Sequence, residues 1–302
     1  MSVPATAATT QHTTVEVDGL DIFYREAGDP ANPTVLLLHG FPTSSFMFRN
    51  LMPALADEFH LVAPDYPSYG QSSFPAKDEF DYTFERFYEI VLKFVDTLGL
   101  GTFSIYIQDY GAPIGLRIAS RHPERVATLI VQNGNAYMEG FTPLWEPLFA
   151  FAGNRNSETE APVRSLLSFE AIKWLWTHGT HDPKSIAPET WTLDAHNLDR
   201  RDNRDIQLDI FYDYRLNIPE YEKFQHYLRE HQPPTLITWG TGDELFGPAG
   251  AEAYTRDLPN AEVHLLDTGH FALEEELEFI ADKMRRFLNA NVRQGPERGE
   301  WP

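Results

Sequence analysis

Apolar and polar positions alternate along the chain in blocks that predict strands and helices in turn. Continuous apolar runs at Thr34–Leu38, Val126–Val131 and Thr235–Trp239 are typical of strands buried on both faces of a parallel sheet. Between such runs, apolar residues recur at helical spacing, most clearly over Thr83–Leu98. The alternation predicts an α/β protein with a mostly parallel, doubly wound sheet.

A hairpin is predicted near the N-terminus. Thr14–Val17 and Leu20–Arg25 alternate apolar and polar residues on either side of Asp18-Gly19, and Asp-Gly between two such runs favours a tight turn. The remaining predicted elements are strands over His60–Ala63, Thr102–Ile107 and Ala261–Leu266, and helices from Thr43 or Ser44 to about Ala56 and over Ile114–Arg121, Pro248–Leu258 and Leu273–Leu288.

The alternation stops at about residue 135 and resumes only at Thr235. Residues 135–217 are rich in aromatic side chains, helical in places and without clear strands, so we predict a mainly helical cap inserted into a core formed by residues 14–134 and 218–292. Residues 1–13 and 293–302 are predicted to be a disordered leader and a polar tail.

Composition narrows the function classes. The net charge of the 302 residues is −21, which argues against nucleic acid and anionic membranes as partners. The chain has no cysteine, so neither a disulfide nor a thiolate metal site can form. It shows neither a signal-peptide pattern nor an apolar stretch of membrane-spanning length, which predicts a cytoplasmic protein. We expect the protein to be a monomer or a homodimer.

The most informative stretch follows the strand predicted over Thr102–Ile107. It continues as Gln108-Asp109-Tyr110-Gly111 and then as a predicted helix. When a sharp turn joins a strand to a helix in this way, the residue at the tip of the turn is lifted clear of the sheet. Gly111 has no Cβ to obstruct the crossing of strand and helix. Gly-x-Ser-x-Gly occurs nowhere. The tip residue is Asp109, and a carboxylate that attacks carbon forms an alkyl ester.

Two further polar residues follow predicted strands. Asp243 and His270 come after Asp109 in the chain, and the carboxyl ends of parallel strands share one edge of a sheet. His270 can accept a proton from water, and Asp243 can hold the imidazole in the required tautomer. Glu244 and Asp267 are competing acids that we assign to turns. We therefore predict the set Asp109, Asp243 and His270.

His39-Gly40-Phe41-Pro42 ends the strand at Thr34–Leu38. The backbone N–H groups of Phe41 and Tyr110 are candidates for an oxyanion hole in the second chemical step. The alternative is a plain turn between strand and helix.

With these motifs the chain resembles the α/β-hydrolase superfamily over Val15 to Leu288, in particular its branch with an aspartate nucleophile, which contains epoxide hydrolases and haloalkane dehalogenases. The resemblance implies an eight-stranded, mostly parallel sheet with an inserted cap. It also implies an ester on Asp109 that His270-activated water hydrolyses. Neither a cofactor nor a metal is implied, and the partners are a small neutral organic substrate and water.

The resemblance favours an epoxide hydrolase. Tyr214 lies in a Tyr-Arg-x-Asn run similar to the cap motif whose tyrosine assists ring opening, and Tyr137 is a weaker second candidate. Phe41 offers no side-chain donor for a halide. Gln108 before the nucleophile instead resembles dehalogenases.

The alternatives are therefore a haloalkane dehalogenase and a non-catalytic ligand-binding protein on the same fold. The aromatic cap predicts an apolar pocket for a small neutral electrophile, although such side chains also serve as packing. Further candidate residues for the substrate pocket are Trp174, Trp176 and Tyr212.

Overall fold

One eight-stranded sheet dominates the computed structural model, which describes residues 9–292. Its strands are β1 (Gln11–Val17), β2 (Leu20–Ala27), β3 (Thr34–Leu38), β4 (His60–Pro64), β5 (Phe103–Gln108), β6 (Val126–Gln132), β7 (Thr235–Gly240) and β8 (Glu262–Leu266). Their order across the sheet is β1-β2-β4-β3-β5-β6-β7-β8. Only the pairs β1–β2 and β2–β4 are antiparallel. The predicted fold class, a mostly parallel eight-stranded sheet, is confirmed.

The predicted hairpin forms, but it is longer than expected. Val17 faces Leu20 across a turn in which Asp18 and Gly19 have φ values of 51° and 77°. Such left-handed values suit the twist of a two-residue hairpin. Strand β1 already begins at Gln11, so the predicted leader 1–13 is wrong from Gln11 onward. Residues 11–13 pair with β2 through backbone groups, which polar side chains do not prevent. Residues 1–8 and 293–302 lie outside the described range.

Eleven α-helices occur within residues 9–292. They are α1 (Leu51–Leu55), α2 (Phe84–Thr97), α3 (Gly111–Arg121), α4 (Glu146–Gly153), α5 (Ser157–Ser165), α6 (Phe169–Thr177), α7 (Glu189–Leu198), α8 (Asn203–Asp213), α9 (Tyr221–His231), α10 (Ala249–Asp257) and α11 (Leu277–Asn291). Helices α1 and α11 contact each other, and α2, α3 and α9 pack as a second group. None of these helices is long and apolar enough to cross a membrane.

Two predicted helices begin differently in the structure. The segment expected from Thr43 to Ala56 forms a 3₁₀ turn at Ser45–Phe48 and only then α1. Pro53 accounts for the break, because proline lacks the N–H that would bond to the carbonyl four residues earlier. The last helix was expected from Leu273 but starts at Leu277, after a 3₁₀ turn at Ala272–Glu274.

Helices α4 to α8 all belong to residues 135–217, which we call the cap segment. They contact one another, and the segment contains no strand, only an isolated bridge between Phe141 and Phe246 of the core. The cap segment thus follows β6 and leads back, through α9, to β7.

Candidate active site

Asp109 occupies the turn between β5 and α3. Its φ is 48°, in the left-handed region that few residues other than glycine adopt. A Cβ on Gly111 would lie 2.3 Å from the carbonyl oxygen of Leu38, so only glycine permits this close crossing. The strained turn therefore fixes Asp109 at the carboxyl edge of the sheet, where a nucleophile is expected.

The Asp109 carboxyl is almost completely buried, with 4% of its surface exposed. The backbone N–H of Phe41 donates to its Oδ1 at 2.6 Å, and the backbone N–H of Tyr110 also acts to lower its pKa. Burial raises the pKa of Asp109 to about 6, although the His270 charge and these two N–H groups oppose the rise. Of the two N–H groups predicted as an oxyanion hole, that of Phe41 donates to the carboxyl group.

His270 and Asp243 form a buried pair beside Asp109. The imidazole Nδ1 lies 2.8 Å from Asp243 Oδ2, while Asp243 Oδ1 accepts the backbone N–H of Leu245 at 2.7 Å. Burial alone would lower the pKa of His270, but the charges of Asp243 and Asp109 outweigh it and raise the pKa. With Nδ1 directed to Asp243, Nε2 is the ring nitrogen left for other partners.

Three buried amides, Gln108, Gln132 and Asn133, surround this pair, and we call them the amide layer. Asn133 donates to Asp243 Oδ2 at 2.8 Å, and Gln132 donates to the backbone carbonyl of His270 at 2.9 Å. Gln108 Nε2 lies 2.7 Å from His270 Nε2. Gln108 and Gln132 end β5 and β6, and Asn133 follows β6, but no local pattern in the sequence predicts that the three amides lie together.

A cavity of about 70 Å³ lies over Asp109, between the core and the cap segment. Asp109 is its only ionisable carboxylate or base; the other side chains are aromatic or aliphatic. An apolar cavity of about 150 Å³ holds benzene, so this one suits a smaller molecule. Its lining residues are Phe41, Asp109, Tyr110, Trp145, Leu148, Leu166, Ala171, Trp174, Leu175, Phe211 and Leu245.

Tyr214 does not line the cavity. Its hydroxyl lies 3.3 Å from that of Tyr221, and its ring packs against Trp145 with the centroids 4.6 Å apart. Tyr110 and Phe84 cover further parts of the same ring. The tyrosine of the predicted cap motif is therefore one layer behind the cavity wall.

Two further tyrosines predicted for the pocket lie away from it. Tyr137 donates its hydroxyl to Asp257 at 2.8 Å. Tyr212 packs against the guanidinium of Arg215, 3.8 Å from its ring centroid. Both side chains have structural contacts that explain their positions, and neither contributes to the cavity wall.

The two predicted tryptophans differ in position. Trp174 lines the cavity and is 37% exposed, which places it at the boundary with solvent. Trp176 is buried, stacks on Phe271 at 3.7 Å between centroids and donates its indole N–H to Asp194 at 2.8 Å. Trp176 therefore supports the residue next to His270 but does not line the cavity.

The cap segment touches the loops that carry Asp243 and His270. A Cβ on Gly179 would lie 2.1 Å from the carbonyl oxygen of Gly242, and one on Gly269 would lie 2.2 Å from that of His178. His178 Nε2 also lies 2.9 Å from Glu244 Oε1. Backbone of the cap segment thus lies directly against residues that flank Asp243 and His270.

Tyr110 is the one phenol in the cavity wall. Its ring packs edge-on against Phe84 at 4.8 Å between centroids. Its buried hydroxyl has no hydrogen-bond partner among residues 9–292. Burial raises the pKa of Tyr110 well above its ordinary value, so the phenol stays protonated. Its place directly after Asp109 is the sequence signal that points to this side chain.

Asp194 gives the cap segment a pH-dependent stability. Burial raises the pKa of its carboxyl from 3.8 to about 8, against the stabilising N–H of Trp176. The folded chain holds this proton more tightly than the unfolded chain, so stability falls as the pH rises from about 4 to about 8, by up to about 1.4 kcal/mol per pH unit. We expect Asp194→Asn to remove this loss, measured by urea unfolding across that range. The exposed Asp78→Asn should not change it, and an unaltered pH dependence in Asp194→Asn would contradict the assignment.

No group of three His, Asp or Glu side chains within residues 9–292 is arranged to bind a metal ion.

The family model of the alpha/beta hydrolase fold matches residues 33–277, a span that includes Asp109, Asp243 and His270. The chain belongs to the α/β-hydrolase family. As a hydrolase of this family, it has a sheet order and a strained turn at Asp109, between strand and helix, that agree with the match.

Proteins similar to this hydrolase differ in the activities for which they are named. It is 42% identical over 272 residues to an uncharacterized hydrolase of Saccharomyces cerevisiae, covering 88% of this chain and 93% of the relative. It is 37% identical over 142 residues to haloalkane dehalogenase 1 of Mycobacterium tuberculosis, covering 46% of each. Among solved structures, epoxide hydrolase CorEH shares the fold with a TM-score of 0.77 at 19% identity, and the match covers 93% of this chain and 99% of that one.

Proposed function

We propose that this hydrolase opens small, apolar epoxides by attack of Asp109 on a ring carbon. The cavity is apolar except at Asp109, so a neutral substrate loses little hydration on entry while the carboxylate is held ready. Above about pH 6 the carboxylate is ionised, and one of its oxygens can bond to carbon as the carbon–oxygen bond of the ring breaks.

The observation that carries the proposal is the unpaired phenol of Tyr110. The ring oxygen leaves as an alkoxide, which needs a proton or a strong hydrogen bond. Tyr110 lines the cavity, and its hydroxyl has no partner within the described chain. A halide would need N–H donors, but Phe41 has none in its side chain and the indole N–H of Trp145 is bound to the Leu245 carbonyl at 3.0 Å.

Water would then hydrolyse the ester. His270 Nε2 removes a proton from the water, the water oxygen bonds to Asp109 Cγ, and the Phe41 and Tyr110 N–H groups stabilise the negative oxygen. Formation of the ester also removes the Asp109 charge, which is one of the causes that raise the pKa of His270. The neutral, proton-accepting form of His270 is therefore favoured when it is needed.

Haloalkane dehalogenation is the second candidate. It is favoured by the similarity to haloalkane dehalogenase 1. It is also favoured by Trp174, which lies in the cavity wall and carries an indole N–H. The two reactions share Asp109, Asp243 and His270, and they differ in the group that stabilises the departing atom.

Substitution of Tyr110 separates the two candidates. We expect Tyr110→Phe to slow diol formation from epoxybutane by about ten- to a hundredfold, because the proton donor is lost while ring packing is kept. Tyr110→Trp supplies an N–H and should increase bromide release from bromobutane only if dehalogenation is the native reaction. Diol by gas chromatography and bromide by ion chromatography are the measurements.

Tyr214→Phe is the matched control, because it removes a phenol one layer behind the wall. We expect a smaller effect on diol formation than in Tyr110→Phe. The opposite ranking would transfer the donor role to Tyr214, as the cap motif predicts. Bromide release without diol formation in the unmodified chain would replace the epoxide proposal with the dehalogenase one.

A further inference from the structure

Gln108 is the member of the amide layer that touches a reacting atom. It is the last residue of β5 and is fully buried. Its side-chain amide lies 2.7 Å from His270 Nε2. Since His270 Nδ1 is bound to Asp243, a neutral imidazole has its lone pair on Nε2, and the Gln108 N–H donates to it.

The other end of the same amide is unsatisfied. Gln108 Oε1 is buried and has no hydrogen-bond partner among residues 9–292. A buried carbonyl without a partner is costly and calls for one in the working state. Gln132 faces Gln108 in the β5–β6 register but has partners for both its donor and its acceptor groups. The unsatisfied acceptor is thus a property of Gln108 and not of the whole layer.

We propose that Gln108 is the positioning residue for the hydrolytic water, an inference that rests on the proposed ester mechanism. When the imidazole is neutral, the amide N–H occupies the nitrogen that the water must use. After ester formation, a change in the Gln108 side-chain rotamer moves the amide away from His270 Nε2 and leaves space for a water between Nε2 and Oε1. The water then donates one O–H to Nε2 and the other to Gln108 Oε1, so both acceptors are satisfied.

The bonds balance in this arrangement. The water oxygen bonds to Asp109 Cγ and its proton passes to His270 Nε2. The bond between Cγ and the oxygen carrying the substrate carbon then breaks, and the departing alkoxide takes the proton from His270. Gln108 exchanges no proton in this sequence; it acts on the position of the water and on the availability of the base. Its influence is therefore confined to ester hydrolysis.

The test separates the two chemical steps in Gln108→Met and Gln108→Glu. Methionine keeps a similar shape but has no amide, whereas glutamate keeps an acceptor oxygen. With epoxybutane as the probe, rapid quenching and intact-protein mass spectrometry give the rates of ester formation and loss. We expect ester loss to slow about tenfold or more in Gln108→Met, with ester formation within about twofold, so that ester accumulates. Gln108→Glu should hydrolyse the ester faster than Gln108→Met.

Gln132→Met is the matched control, because it disturbs the same buried layer without touching His270 Nε2. It should change both rates by a similar factor. Equal slowing of both steps in Gln108→Met, or equal hydrolysis rates in its Met and Glu variants, would assign Gln108 a purely structural role. If the unmodified chain forms diol and Gln108→Met accumulates no ester, the water-positioning role is overturned alone. If His270→Gln forms no ester with epoxybutane or bromobutane, the proposed function is overturned together with it.

Discussion

His270→Gln is expected to convert the hydrolase into a trap that keeps one substrate molecule as an ester on Asp109. Glutamine cannot accept the proton of the attacking water, whereas Asp109 still reaches the substrate carbon. Loss of a general base typically costs about 10²–10⁴-fold in rate, so ester hydrolysis should become slower than ester formation. Intact-protein mass spectrometry would show the adduct, and peptide mapping would locate it on Asp109.

The adduct mass also identifies the substrate class. An epoxide adds its whole mass to the chain, whereas a haloalkane adds only its alkyl group after loss of the halide and a proton from the carboxyl. His226→Gln, on the exposed side of α9, is the matched control and should accumulate no adduct. Ligand binding without an adduct in His270→Gln, for epoxides and haloalkanes alike, would instead support a non-catalytic binding protein.

Asp109→Asn should remove turnover and at the same time stabilise the fold. The amide cannot form the ester bond at a comparable rate, but its oxygen can still accept the Phe41 N–H. The rise of the Asp109 pKa from 3.8 to about 6 amounts to a penalty of about 3 kcal/mol on the buried carboxylate, at about 1.4 kcal/mol per pKa unit. Stability of the unmodified chain is therefore lost as the pH rises from about 4 to about 6.

Urea unfolding at about pH 8 and about pH 4 checks this prediction. The gain from Asp109→Asn should be present at the higher pH and small at the lower one, where the carboxyl is protonated. Asp81→Asn, at an exposed aspartate, should give no such gain. Destabilisation by Asp109→Asn at the higher pH would mean that the N–H groups of Phe41 and Tyr110 offset burial completely.

The core could be predicted from the sequence because its signals are local. Apolar runs gave the strands of the parallel sheet, and the turn at Asp109 needed only a strand, a glycine and a helix in succession. Asp243 and His270 follow strands of the same sheet, so topology alone brings them to one edge. Pro53 was also a local signal, because it lies within the segment that we predicted as one continuous helix.

The cap and the amide layer could not be predicted to the same depth. Tyr214 matches a motif, but the direction of its hydroxyl depends on Tyr221 and Trp145, whose positions are set by packing between separate helices. Gln108 contacts His270 only because the fold brings together two residues that lie 162 positions apart in the sequence. Such contacts come from tertiary packing, which spacing along the sequence does not show.

The close packing of Gly179 on Gly242, and of His178 on Gly269, couples two events that could otherwise be independent. A cap that separates from the core to admit substrate must also release the loops carrying Asp243 and His270. Opening of the cap would then also loosen the loops that align Asp243 with His270, so a ligand that favours the closed cap would favour this alignment as well. The hydrolase would thus be least able to activate water while its cavity is open to the solvent.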